Sequence, residues 1–545
     1  MKSLHIYLST VLFIIASCNS PQVDLLVYNA TIYTVDSTFS TAEAMVIKDG
    51  KIVETGTKAA LEKKYTAKDK SDAQGKFIYP GFIDGHAHFV GYALGLQKID
   101  LKNTVSWDEV VKRLTDAAKD KDTSAWIVGR GWDQNDWAVK EFPTNEKLNE
   151  LFPNTPVYLT RIDGHAAIAN DKALQLAGVK PGEKIEGGDF EIENGKLTGI
   201  LIDNAMGPVA SAIPEFDKTV LSKALGEAQQ NCFAVGLTTI VDAGLDHETV
   251  ETIDALQKDG SLKMRLYIML SDDKKNYEWL KEKGKIKTDF LNVRSFKVYG
   301  DGALGSRGAC LLEDYTDRPG WKGFLLSSPA HFDSVAKVIS ENGWQMCTHA
   351  IGDSSNRTLL KTYAKYLKGK NDLRWRIEHA QVVNKNDFHF FGDYNIVPSV
   401  QPTHGTSDMY WAKDRLGPER VKGAYAYLQL LQQNNWMPLG TDFPVEDIST
   451  FKTFFAAVVR KDAKGFPLTG FQMEDALTRE QTLRGMTIWA AKANFEEQEK
   501  GSLEKGKFAD FVILDKDIMK ASERELLGIK VIQTFVGGES VYRTN

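Results

Sequence analysis

Two histidines one residue apart, His86 and His88, close an apolar stretch that runs from Phe77 through Pro80-Gly81 to Asp84-Gly85. Residues two apart on an extended strand point to the same side, so both imidazoles can reach one ion. Imidazole is a common ligand for zinc and related cations, which makes the pair a candidate metal site. Four more residues able to bind metal stand far downstream, each within or just after a short apolar run: Lys297, His349, His379 and Asp442. A lone histidine after a strand is usually structural. Six such residues falling in phase at strand ends point instead to one shared mouth. Water held by one or two divalent ions ionises near neutral pH beside a polarised carbonyl, so the chemistry is hydrolytic. Imidazoles and carboxylates suit zinc and also admit iron, cobalt or manganese.

The elements that must bring these residues together follow from patterning. Short apolar strands alternate with helical stretches: one before His86, then 238–241, 264–270, 295–299, 344–348, 375–377, 396–401 and 437–440. Eight strands in this rhythm predict an α/β fold, a (β/α)8 barrel whose site lies at the C-terminal strand ends. The interval 93–228 is too long for one crossover and is expected to form an inserted subdomain after strand one. Strand-like segments at 24–28, 31–35, 44–47 and 51–54, with an Asp49-Gly50 turn between the last two, mark the N-terminal side. Segments 508–514, 531–536 and 539–542 mirror them at the other end. The two ends predict one small β-sandwich built from both termini, over 19–76 and 496–545, around a barrel over 77–495. The charged run 63–72 reads as a solvated loop.

With 545 residues, 42% hydrophobic and 26% charged, the chain is long enough for one large barrel with additions. A net charge of -6 gives no reason to expect a nucleic-acid partner. Residues 1–18 read as a secretory signal: Lys2, an apolar run from Val11 to Ile15, then Ala16-Ser17-Cys18. The run is too short to span a membrane. Ile15-Ala16-Ser17-Cys18 resembles a bacterial lipobox, which predicts lipidation at Cys18 and a lipid-anchored protein of the bacterial envelope. Asn19 rather than Asp follows, so the periplasmic face of the outer membrane is the expected location. Cys232, Cys310 and Cys347 do not make a disulfide framework and are expected as buried free thiols. A homodimer is a further expectation.

Taken together, several motifs resemble the third amidohydrolase family, which includes N-substituted formamide deformylase. They are Pro80-Gly81-Phe82-Ile83-Asp84-Gly85-His86-Ala87-His88, Asp163-Gly164-His165, Asp301-Gly302-Ala303-Leu304-Gly305-Ser306 and His349-Ala350-Ile351-Gly352-Asp353. Arg376-Ile377-Glu378-His379-Ala380-Gln381, Ser399-Val400-Gln401-Pro402 and Gly440-Thr441-Asp442-Phe443-Pro444-Val445-Glu446 continue the series. The stretch 501–510 resembles the family's closing sheet element. The resemblance implies His86, His88 and Asp442 on one ion, His349 and His379 on a second, and Lys297 bridging them as an N-carboxylated lysine. A lysine drawn toward two cations loses its ammonium and can add carbon dioxide. The competing reading pairs Lys297 with Asp301 or Glu378 beside a single ion. Asp442 is expected to orient the attacking metal-bound hydroxide, take its proton and return it to the leaving nitrogen of a small, non-peptide amide. The resemblance also places His165 in the substrate pocket, where the alternative is a histidine fixing its loop. Trp132 is read as an apolar pocket wall or as an aromatic anchored in the core. Asp353 and Glu378 are expected to orient the ligand imidazoles. Two other classes remain at this point: a mononuclear deaminase of a cyclic amidine, and a lipid-anchored binding protein without turnover.

Overall fold

The structure, a computed structural model, describes residues 20–119, 125–214 and 217–544; the expected signal segment and Cys18 lie outside the described residues. Seven parallel strands build the barrel: Phe82–Ala87, Leu237–Leu245, Arg265–Ser271, Leu291–Tyr299, Gln345–Ala350, Arg376–His379 and Val397–Ser399, each paired with the next. Their side chains are buried almost without interruption, as in a parallel sheet covered on its outer face by helices. The crossover helices begin where the sequence supplies capping side chains. Asp246, Asp273 and Ser328 accept from the backbone N–H groups of Thr249, Lys275 and His331.

The eighth position is held by residues 437–443, which are too irregular to form a regular strand yet close the ring. Val400 and Leu439 form a parallel bridge, and Gly440 N donates to Val400 O at 3.0 Å. On the other side Gly85 N donates to Leu439 O at 2.9 Å and Asp442 N to His86 O at 2.8 Å. Gly85 and Gly440 permit this approach. A Cβ on Gly440 would stand 2.5 Å from His86 N, and one on Gly85 would stand 2.7 Å from Leu439 O. Closure therefore brings His86 and Asp442 side by side.

Both termini contribute to one eight-stranded sheet, in the order Glu539–Arg543, Val531–Val536, Phe511–Leu514, Thr66–Pro80, Gln22–Tyr33, Ala44–Lys48, Lys51–Gly56, with Thr41–Ala42 beside Gln22–Tyr33. Asp49 and Gly50 turn between two of its strands with φ of 49° and 72°. The expected loop at 63–72 is instead the end of the helix Lys58–Lys64 and the start of the strand Thr66–Pro80. Its outer half is exposed and therefore polar, so periodicity hides it. Parallel pairing with Gln22–Tyr33 decides its conformation.

The chain between barrel strands one and two folds on its own six-stranded sheet, ordered Gly188–Glu193, Lys196–Asp203, Ala166–Ala169, Val157–Arg161, Ile127–Trp132, Ile99–Asp100. Trp132 belongs to the core of this sheet, fully buried, with its indole N–H donating to Leu159 O at 2.9 Å. The pocket-wall expectation for Trp132 is thereby corrected: a register shift between Arg130 and Trp132, at Gly131 with φ of 115°, turns the indole into the core of the sheet. Cys232 and Cys347 are buried free thiols, whereas Cys310 is only half-buried. Among the described residues no helix is long and apolar enough to cross a membrane.

Candidate metal centre

The C-terminal rim of the barrel gathers all six residues singled out as ligands: His88, Lys297, His349, His379 and Asp442 line one cavity, and His86 is fully buried against them. His86 comes from strand one and His88 from just beyond it. Lys297 lies on strand four, His349 on strand five, His379 ends strand six, and Asp442 lies in the irregular eighth segment. His379 and Asp442 adopt φ of 71° and 63°, left-handed conformations that each cost non-glycine residues about 1–3 kcal/mol. Such strain persists where surrounding contacts over-determine the backbone, and here it turns both side chains into the mouth.

Three imidazoles are held by one ring nitrogen. His86 Nδ1 lies 2.6 Å from Glu378 Oε2, His379 Nδ1 2.7 Å from Gln401 Oε1, and His88 Nδ1 2.9 Å from Ala243 O. Each partner can only accept, so Nδ1 carries the proton and Nε2 presents a lone pair. The Nε2 atoms of His86 and His88 lie 3.7 Å and 3.3 Å from Asp442 Oδ1. That oxygen is buried and among the described residues has no hydrogen-bond partner. His86, His88 and Asp442 thus offer three ligand atoms mutually within 4.8 Å. An orphaned carboxylate oxygen facing two lone pairs fits a divalent cation and suits little else.

Burial pushes His86 down to about 4, and burial with neighbouring cationic groups also lowers His349 and His379 well below the usual histidine range. All three are therefore neutral, the form that ligates. Burial would raise Asp442, but the hydrogen bond from His404 and the imidazoles around it outweigh burial and hold its carboxyl well below the usual carboxylate range. Glu378 is likewise held well below its ordinary range, since Arg376 and His86 outweigh its burial. Arg376 Nε stands 2.7 Å from Glu378 Oε1, so the His86 orienter is itself clamped.

Lys297 is fully buried and burial pushes it down to about 8. Its Nζ lies 3.1 Å from His86 Nε2 and 4.9 Å from the Tyr299 ring centre. Among the described residues it forms no ion pair with Asp301 or Glu378. Asp301 instead accepts from the backbone N–H groups of Cys310, Ile351 and Gly352. Asp353 is also occupied elsewhere: it accepts from Leu312 N at 2.9 Å and orients no imidazole, because its helix points it toward the 309–312 loop. Glu378, by contrast, faces an imidazole, that of His86.

His404, which the sequence reading passed over, is the main addition. It stands on the short helix Pro402–Asp408 after barrel strand seven, with Nε2 3.2 Å from Asp442 Oδ2 and Nδ1 3.1 Å from Glu446 Oε1. His379, His404 and Asp442 form a second trio of ligand atoms within 4.8 Å. Its position two residues past the Ser399–Pro402 motif, on the same rim, is the signal that could have found it. His349 belongs to neither trio. Its ring centre lies 4.7 Å from His379 and 4.9 Å from His165.

The cavity above these residues holds about 860 Å³, with part of its wall supplied by the inserted sheet. His165 lines it, its Nδ1 fixed 2.6 Å from Asp203 Oδ1. Asp84, also absent from the sequence expectations, ties the rim together by accepting from Thr441 N at 3.0 Å and Thr441 Oγ1 at 2.7 Å.

A parallel barrel carrying neutral imidazoles, a buried lysine and an unpartnered aspartate oxygen at its C-terminal mouth defines a metal-dependent hydrolase. The chain belongs to the Amidohydrolase family, which it matches over residues 71–542. It is 33% identical over 543 residues to Protein LONG AFTER FAR-RED 3 of Arabidopsis thaliana, covering 95% of this chain and 91% of that one. It is 26% identical over 539 residues to an N-substituted formamide deformylase of Arthrobacter pascens, covering 94% and 97%. Among solved structures, an uncharacterized metal-dependent hydrolase of Pyrococcus horikoshii is similar with a TM-score of 0.75 at 26% identity, covering 92% of this chain and 99% of that one. The protein is an enzyme of this family, a metal-dependent hydrolase acting on carbon–nitrogen bonds.

Proposed function

We propose that the enzyme hydrolyses the C–N bond of a small non-peptide amide, using two divalent ions for which zinc suits the donor set. The observation that carries this reading is the trio His86, His88 and Asp442, with both imidazoles already fixed for ligation. His86, His88 and Asp442 would hold one ion; His379 and His349 would hold the other, with His404 within reach of the shared Asp442. Lys297, buried and short of a carboxylate partner, would add carbon dioxide, releasing one proton, and bridge the pair as an anion. Bound ions would supply Lewis acidity that acidifies water and polarises the carbonyl. Asp442 would orient the water and take its proton. The same carboxyl would return that proton to the departing nitrogen, so that water and amide become acid and amine. His165 and Tyr299, beside His349, would bound the acyl side of the cavity. The similarity to N-substituted formamide deformylase supports an amide as substrate class.

A single-ion deaminase of a cyclic amidine is favoured by one observation, that His349 lies outside both ligand trios. Metal analysis of purified enzyme, run beside a panel of N-acyl amines, formamides and cyclic amidines, separates the two. Two ions per chain with amine release from amides is the expected result. One ion with ammonia release from amidines would establish the deaminase, and no turnover at full metal content would remove both.

A further inference from the structure

The inserted sheet and the turn that leads into it present two cations to the cavity that the metal-binding residues line. Arg130, on the strand Ile127–Trp132, lines it and is half-buried. One guanidinium nitrogen donates to Ile162 O at 2.9 Å, while Nε is buried with no partner at all. Lys98, half-buried at the end of the turn after the first rim helix, lines the cavity beside it. Among the described residues neither side chain forms an ion pair.

The neighbouring Arg161 shows the contrast. It is fully buried and paired with both Asp133 and Asp163, with Gln134 accepting from its Nε at 2.8 Å. Asp163, the carboxylate nearest in charge to Arg130, is thus already engaged by Arg161 and by His165 N. Burial lowers both Arg130 and Lys98 below their ordinary ranges, and Arg130's charge lowers Lys98 further. Two cations that repel each other thus face the cavity without an ion pair among the described residues, and Arg130 feels Asp163 and Asp442 only at longer range. A buried cation without a partner is costly, and that cost is relieved when an anion arrives.

We propose that Arg130, with Lys98, receives an anionic group on the substrate, so that the amide cleaved at the rim carries a carboxylate or phosphate a few bonds from its C–N bond. The inference rests on the hydrolase reading above and narrows its substrate class to acidic amides such as N-acyl amino acids. A planar guanidinium matches either anion with paired N–H donors, which a lone lysine does not.

The test uses metal-loaded enzyme and three matched amides: N-acetylbenzylamine, N-acetylphenylglycine and the aminophosphonate analogue of the latter. The expected result is a kcat/KM for at least one acidic amide about tenfold or more above the neutral one, as suits a desolvated charge pair. The acidic member preferred identifies the anion. Calorimetric titration with phenylglycine, its phosphonate analogue and benzylamine reads binding without turnover. Arg130→Gln should collapse the preference in both measurements, Arg130→Lys should keep part of it, and Lys98→Met should reduce it, all at unchanged metal content. Equal kcat/KM for neutral and acidic amides would overturn the anion site while leaving the hydrolase intact. If no amide turns over, the proposed amide chemistry fails, and the titrations still decide the anion site. Equal binding of acidic and neutral ligands, or acidic binding untouched in both Arg130→Gln and Lys98→Met, overturns it.

Discussion

Asp442 meets two demands that usually conflict. One oxygen is left bare toward His86 and His88, while the other accepts from His404 at 3.2 Å. The bare oxygen is available to a cation, and the second is available to a proton in transit. Asp442→Asn keeps a carbonyl oxygen but cannot take that proton. Metal loss should be partial, and turnover should fall by about 10²–10⁴-fold, the usual span of general-base catalysis. Metal content and kcat measured on the same preparation check this, and near-native turnover at full occupancy would leave Asp442 only a ligand. Lys297 makes a complementary case. Its burial disfavours the ammonium and outweighs the pull of Glu378 and Asp442, and among the described residues no carboxylate pairs with it directly. Lys297→Ala should lower both occupancy and activity, with partial recovery on adding a short carboxylic acid. Enzyme prepared in ¹³C-bicarbonate should show a carbamate carbon by NMR, and its absence at full activity would remove the bridge.

At the scale of elements, a buried ion pair ties the barrel to the terminal sheet. Arg265, at the start of barrel strand three, meets Asp510 through Nε at 2.7 Å and a terminal nitrogen at 2.9 Å. Its remaining nitrogen donates to Asp289 O, and its plane lies 4.0 Å from the Phe508 ring centre. Asp510 also accepts from Gly537 N at 2.7 Å. Removing one partner strands a buried charge, so Asp510→Ala should cost about 3–5 kcal/mol. Chemical denaturation would read this as a lower midpoint at unchanged metal stoichiometry; a shift under 1 kcal/mol by the same fit, well below that of a typical buried pair, would show the contact to be dispensable. The sheet is far from the rim, so kcat of the folded fraction should hold.

For the whole molecule, the open question is where it resides. The segment that would decide this, through Cys18, lies outside the described residues. The proposal of a lipid-anchored envelope protein predicts a mature N-terminus bearing acyl chains at Cys18, and a Cys18→Ala protein without them. Mass spectrometry of the natively expressed protein checks both, and an unmodified Cys18 would remove the anchor. One acyl chain binds membranes only weakly, so stable association requires more than one.

The sequence alone determined the barrel and most of its rim, because strand-end histidines two apart and apolar runs alternating with helices are local signals. It also placed Lys297, His349, His379 and Asp442 at the mouth, and the Asp49-Gly50 turn in a terminal sheet. Tertiary structure decided what depends on partners distant in sequence. The polar segment 66–72 became a strand because a backbone 44 residues earlier pairs with it. Trp132 and Asp353 left the site because the facing of one strand and the axis of one helix turned them elsewhere. His404 and Arg130 entered it for the converse reason. Arg130 lies in no distinctive local pattern and His404 only follows one, and the closing of the barrel and the docking of the inserted sheet set them around one cavity. Local periodicity records which face a residue occupies, whereas the company it keeps there is fixed by long-range packing.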